Sequence, residues 1–339
     1  MNVSRKQPLL PCIQLLRFFA ALGVMLSHVG FGDSYITNIA FSIGVNLFYC
    51  ISAFLMMYTT QSGVPEKFVC KRLVRLIPLY WILTIATFFA AIFIPAFSDS
   101  SADIGSLIKS MFFIPYFRGG LKTSVVTRPI VGPAWTLTFD IWFMIVFAIA
   151  MKISHKWRGL ISGIACFFLM MIGKIVNLNS AVINMLGKSF WLNFIFGIIV
   201  FYIWKYMQNK DELKKKLSPI LIAIAVLSFL TLYIGSKPLV LCTVLSFILL
   251  LSVLLVMEDK PVPSFFVTFG NMSYSFYLTH YYVILVIGLF IDFDTLSVST
   301  IIGTVISFAI SLVVAYISYL LIEKKLGDLL KNLILRNNK

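Results

Sequence analysis

The sequence predicts an all-α, polytopic membrane protein with about ten transmembrane helices and both termini in the cytoplasm. Three observations carry this expectation. Hydrophobic residues make up 60% of the 339 and charged residues only 12%, against roughly 25% charged in an ordinary soluble domain. Apolar runs of about 20 residues, the length a helix needs to cross a bilayer, recur along the whole chain. On that reading 20 of the 28 Lys and Arg residues fall in inner segments and 7 in outer loops, with Arg17 inside a span. This is the asymmetry that orients helices with their basic flanks inward.

The same distribution explains the net charge of +15 without nucleic acid. No polar interval exceeds about 35 residues, well short of the roughly 100 to 150 of an ordinary domain, so residues 1–339 read as a single transmembrane domain. The first apolar run is too long for the core of a signal peptide and is kept as a span. Cys12, Cys50, Cys70, Cys166 and Cys242 stand singly, which suggests neither a disulfide framework nor a metal site. No repeat, P-loop or glycine-rich dinucleotide turn is present, which removes ATP-driven classes.

In order, the spans are expected at 9–29, 39–59, 77–97, 133–151, 158–174, 185–204, 218–235, 238–257, 265–290 and 298–322. The first holds Arg17 and His28. Eleven positions at about 100° each come to roughly three turns, so both lie on one helix face about 16 Å apart. A charge at membrane depth must face protein or water and marks a functional site by default.

The second span carries Ser52, and the inner loop after it carries Lys71, Arg72 and Arg75. This basic cluster reads either as an anchor to anionic head groups or as a site for a phosphate-rich cytosolic ligand, since arginine forks grip phosphate oxygens in pairs. The outer stretch 98–132 is the longest loop and the natural place for an acceptor lid, with an extra interfacial helix near 106–117. A turn around Gly235 and Pro238 joins the seventh and eighth spans.

Trp135 opens the fourth span, and Asp140 follows about 10 Å below the outer surface. That carboxylate either pairs with an intramembrane cation or orients a catalytic imidazole. His155, in an inner loop among cations, and the charge run 205–217 read as solvated. Tyr274, Tyr277 and His280 lie along the ninth span, with His280 in the outer half. His28, Asp140 and His280 therefore reach similar depth on three helices, which makes them candidates for chemistry. Glu323 is expected to pair with a basic residue at the inner face, ahead of a cytoplasmic tail at 325–339.

These residues together resemble the integral-membrane acyltransferase-3 family, which O-acylates bacterial surface glycans. The matching elements, nearly end to end, are Arg17 with His28, Ser52-Ala53-Phe54-Leu55, and Arg72 and Arg75 followed by Pro78, Tyr80 and Trp81. They continue with Trp135 to Asp140, Ser273 to His280, and Ile322-Glu323-Lys324. Ile114-Pro115-Tyr116 and Arg128-Pro129-Ile130 resemble the exopolysaccharide-acetylating branch. Ala53 departs from the usual glycine and should crowd a close helix approach, and Asp140 departs from the commoner glutamate.

The resemblance implies a protein of the bacterial cytoplasmic (inner) membrane. It takes acetyl-CoA or another acyl-CoA as cytosolic donor and a hydroxyl of a surface glycan or lipid-linked oligosaccharide as acceptor. Lys71, Arg72 and Arg75 would hold the donor's phosphates, and the pantetheine arm would pass Arg17. His28 would be the general base and Asp140 its orienting acid. Ser52 is a candidate nucleophile or oxyanion donor, and Trp135, Tyr274, Tyr277, His280 and Glu323 line the passage or support it. A competing class is a transporter or flippase with the histidines as a proton relay. A non-catalytic scaffold is the third. Neither calls for a cytosolic basic pair at fixed distance from a buried Arg and His.

Overall fold

The computed structural model describes residues 9–29, 35–63, 67–93, 103–117, 129–176, 178–234, 238–293 and 297–336, with backbone alone at 35–36, 229–234, 238–239 and 334–336. Arg128, the turn at Gly235 and most of the outer loop expected at 98–132 lie outside the described residues.

Helices are the only regular secondary structure among those residues, with no strand. The helices are α1 (Pro11–His28), α2 (Tyr35–Thr59), α3 (Phe68–Phe93), α4 (Ile104–Met111), α5 (Trp135–Ile153), α6 (Arg158–Ile175), α7 (Ala181–Leu186) and α8 (Trp191–Met207). They continue as α9 (Asp211–Ile234), α10 (Pro238–Met257), α11 (Ser264–Asn271), α12 (Ser273–Ile287), α13 (Val298–Ser318), a π-helical stretch Tyr319–Leu326, and α14 (Gly327–Arg336). Eight of the helical segments described are long and apolar enough to cross a membrane.

The segments expected as seventh and ninth spans are not among those eight. Five of the first six residues of α9 are charged, and the apolar end of the seventh segment, from 229 on, lies outside the residues whose side chains are described. The ninth is interrupted at Met272, whose φ of −89° and ψ of 4° leave the helical region after the weak helix formers Gly270 and Asn271. The sixth begins with the separate short helix α7, and the tenth passes into the π-helical stretch.

The chain divides into two compact units, residues 1–65 with 192–311, and residues 66–191 with 312–339. In the first unit α1 crosses α2 at small residues. A methyl at Gly44 would stand 2.5 Å from the Ala20 carbonyl oxygen, and one at Gly23 2.9 Å from that of Ala40. Without a hydrophobic force between lipid-embedded helices, such close backbone approach is what holds them. Gly270 of α11 lies against the backbone of Gln14, where any Cβ would collide.

The crowding expected at Ala53 is relieved from the other side. Gly197 of α8 faces it, and a methyl there would meet the Ala53 Cβ at 2.8 Å. Beside this contact Asn46 of α2 donates to Thr243 of α10 (3.3 Å) and accepts from Asn193 of α8 (3.0 Å). Asn46 and Asn193 are fully buried. Buried amides need partners, and here three helices supply them in part, since Asn193 Oδ1 is buried with none among the described residues.

The charge run at 205–217 is not simply solvated, which corrects the sequence expectation. Gln208 donates to both carboxylate oxygens of Glu258 (3.1 and 3.3 Å), and Lys214 stands 3.9 Å from the same group. The Lys214 and Glu258 side chains are each only 13% exposed. Opposite charges and an amide donor tie the start of α9 to the end of α10, a pairing that spacing along the chain does not reveal.

In the second unit α4 is hung between its neighbours. Tyr80 donates to the Ser110 carbonyl (2.8 Å), Trp81 to that of Met111 (3.0 Å) and Trp142 to that of Phe113 (3.2 Å). These carbonyls lie at or just past the C-terminus of α4, where helical donors run out, and that of Ser110 also accepts from the Phe113 amide (3.0 Å). At the other end Asp103 caps the amides of Gly105 and Ser106, and bonds to Ser106 hold its carboxyl below the usual range. A helix thus stands at Ile104–Met111, where the stretch expected at 106–117 begins. His155 is half-buried rather than solvated, and its carbonyl accepts from the buried Arg158 (2.7 Å).

Candidate active site

The candidate residues form two groups, one in each unit. In the first unit α1 presents Arg17 and His28, both half-buried. Arg17 donates to Gln14 at 3.4 Å, and Gln14 is itself buried. His28 ends α1, and its ring lies 5.3 Å from that of His280, 5.7 Å from Tyr281 and 5.9 Å from Phe41, centroid to centroid. The two histidines that the sequence placed at similar depth are therefore neighbours.

His280 is fully buried on α12. Its Nδ1 lies 3.0 Å from the Phe276 carbonyl oxygen. A carbonyl only accepts, so Nδ1 carries a proton and Nε2 is left as the acceptor of a neutral ring. That Nε2 is buried and has no hydrogen-bond partner among the described residues. Phe276 stacks on the ring at 5.9 Å, and Tyr277 tilts against it at 6.0 Å. Tyr274 and Tyr277 are buried on the same helix, and Ser52 is half-buried on α2.

In the second unit α3 presents Lys71, Arg72 and Arg75, all half-buried. The Arg72 guanidinium sits over the Phe68 ring at 5.9 Å. Asp140 of α5 attracts it electrostatically, and Arg75 repels it. Arg75 Nε donates to Glu323 at 3.3 Å. The expectation that Glu323 pairs with a basic residue is met, and the partner is one of the two arginines assigned to the donor. Trp135 packs against Phe139 and Phe190 at 6.1 and 5.2 Å.

Of the stretch 98–132 expected as an outer loop, α4 and residues 112–117 and 129–132 are described. They border a shallow hollow with Lys109, Ser110, Tyr116 and Thr138 on its wall. Lys109 lies over the Tyr116 ring at 5.9 Å, and Tyr116 shares a hydrogen bond of 3.0 Å with Ser110.

Sequence reasoning missed the Asn46–Asn193–Thr243 set, although an isolated asparagine within an apolar run is a signal of it. It also missed Gln14 as the companion of Arg17, although the two stand three apart on one helix face.

Comparison with known proteins places these groups in context. The family model of the acyltransferase domain of the acyltransferase-3 family matches residues 10–320. The exopolysaccharide production protein ExoZ of Rhizobium meliloti (strain 1021) is 28% identical over 164 residues, 48% of this chain and 50% of the relative's length. The matched region thus spans about half of that relative. No solved structure matches the chain.

Proposed function

The chain belongs to the acyltransferase-3 family, and from that premise we propose that it moves an acetyl group from cytosolic acetyl-CoA to a hydroxyl of an extracytoplasmic or lipid-linked polysaccharide. The exopolysaccharide production named for the relative supports this acceptor class. The protein is multi-pass, and in this reading it has ten spans with both termini in the cytoplasm of the bacterial inner membrane.

The observation that carries the assignment is the pair of imidazoles, His28 at the half-buried end of α1 and His280 beside it with its proton on Nδ1. His28 takes the proton from the acceptor hydroxyl as the oxygen attacks the thioester carbonyl. The C–S bond then breaks and the imidazolium returns its proton to the coenzyme A thiolate, leaving an O-ester and free thiol. Ser52 is the assigned donor to the oxyanion. Arg72 and Arg75, with Lys71, hold the donor's phosphates, and the Asp140 carboxylate offsets the Arg72 charge. Arg17, beside Gln14, is assigned to the pantetheine passage.

Mass spectrometry of surface glycans tests this in cells that carry the wild-type chain, the His28→Ala chain at matched membrane abundance, or neither. An acetyl increment is expected with the wild type alone. Equal acetylation with His28→Ala, or none with either chain, overturns the reading.

A further inference from the structure

The π-helical stretch Tyr319–Leu326 is the part of the fold that the catalytic reading leaves unused. Its amide register is direct: Gly327 N–H reaches the Ile322 carbonyl, five residues back. Widened turns of this kind are rare and concentrate at functional positions. Here the geometric effect can be worked out. In a continuous α-helix Glu323 would sit eight steps of about 100° from the buried Ala315, about 80° off its face. With about 4.4 residues per turn from Tyr319 onward, each step falls to about 82° and the offset to about 8°. The widened turn therefore returns Glu323 to the buried face of its helix, where its side chain is only 2% exposed.

What it meets there is Arg75, through Nε at 3.3 Å. A second contact fixes the same approach. Pro78 lies inside α3 and has no N–H, so the carbonyl of Val74, four residues back, loses its helical donor. Gly327 packs against that carbonyl, with room for a Cβ at 3.9 Å. The end of the chain is thus seated on the one turn of α3 where a proline has opened the backbone, next to Arg75.

Nε lies on the flank of the guanidinium, on the stem side of its fork. The Arg75 side chain remains 42% exposed while its carboxylate partner is enclosed. A buried anion that grips the flank of a flexible, half-exposed arginine removes rotamer freedom and fixes the direction of the fork. We infer that Glu323 is a positioning residue, held in register by the π-helical turn, which aims the Arg75 guanidinium for a phosphate-bearing ligand. This rests on the proposed donor site. It assigns Glu323 to the phosphates of coenzyme A rather than to scaffolding alone.

Binding calorimetry on the purified full chain in phosphatidylcholine nanodiscs tests this, with coenzyme A and with pantetheine, which lacks the phosphates. Glu323→Gln should weaken coenzyme A binding about tenfold and leave pantetheine unchanged. The exchanged pair, Arg75→Glu with Glu323→Arg, should recover the melting temperature but not coenzyme A affinity. If Glu323→Gln does not fold, Glu323→Asp keeps the charge on a shorter arm and should show the same selective loss. Unchanged coenzyme A affinity, equal loss of both ligands, or full recovery by the exchanged pair would reduce Glu323 to a scaffold role and overturn the inference. Arg75→Ala is the control. If it binds coenzyme A as the wild type does, the donor-site reading itself falls, and a repeat in phosphatidylglycerol discs shows whether lipid head groups are what Arg75 holds.

Discussion

His280 keeps its proton on Nδ1 because the Phe276 carbonyl facing that nitrogen can only accept. Its other nitrogen is buried without a partner among the described residues, one ring away from His28. Leaving a buried acceptor unmatched costs about 1 to 3 kcal/mol, and the arrangement makes sense if the acceptor is used when His28 is charged. His280→Asn should lower kcat by about 10²-fold with little change in the donor KM. Steady-state kinetics on the purified chain check this, and an unchanged kcat would leave His280 a packing residue. The histidines themselves were legible in the sequence, because an imidazole inside an apolar span is costly and therefore conspicuous. Their adjacency was legible only as equal depth. The partners of Arg17 and Arg75 needed more: Gln14 hides among apolar neighbours, and Glu323 reaches Arg75 only through a register that a 3.6-residue period does not produce.

Among the elements, the long apolar runs set most helices to within a few residues. The exceptions share a cause. At Met272, at the α7–α8 break and at Tyr319 the backbone departs from the regular α-helix within a segment expected as a single span, where hydropathy summed over about 20 residues smooths over the few polar residues at the change. Local chemistry does mark one of them, since Gly270 and Asn271 precede the break at Met272. Gly270 is there for contact as much as for flexibility, because its missing side chain lets α11 touch the Gln14 backbone. Gly270→Ala should force α11 away from α1 and cost roughly 1 to 3 kcal/mol, as over-packing does. A thermal melt followed by size-exclusion chromatography would show it, and a melting temperature within error of the wild type would mean that the two helices separate freely. Close glycine packing of the same kind, at Gly197, answers the family departure at Ala53.

For the whole molecule, charge asymmetry along the chain is the argument for orientation. With ten spans, reporter fusions after Asn209, Asp259 and Lys339 should all report the cytoplasm, and a fusion after Asn179 the outside. A fusion after Lys339 that reports the outside would remove an odd number of spans from the reading. The division of the chain into two units was not legible at all. Each is assembled from segments far apart in sequence, and only contacts define them.

The hydrogen bonds that join the amides of Asn46 and Asn193 and the hydroxyl of Thr243 also bear on how the protein is made. Asn46 enters the bilayer early, and its partners stand 147 and 197 residues later in the chain. While synthesis covers that distance, α2 holds a polar group in lipid with neither of them, so the nascent protein is poorest in satisfied hydrogen bonds midway through its own insertion. A ribosome that stops before α8 leaves both groups of the Asn46 amide without these partners.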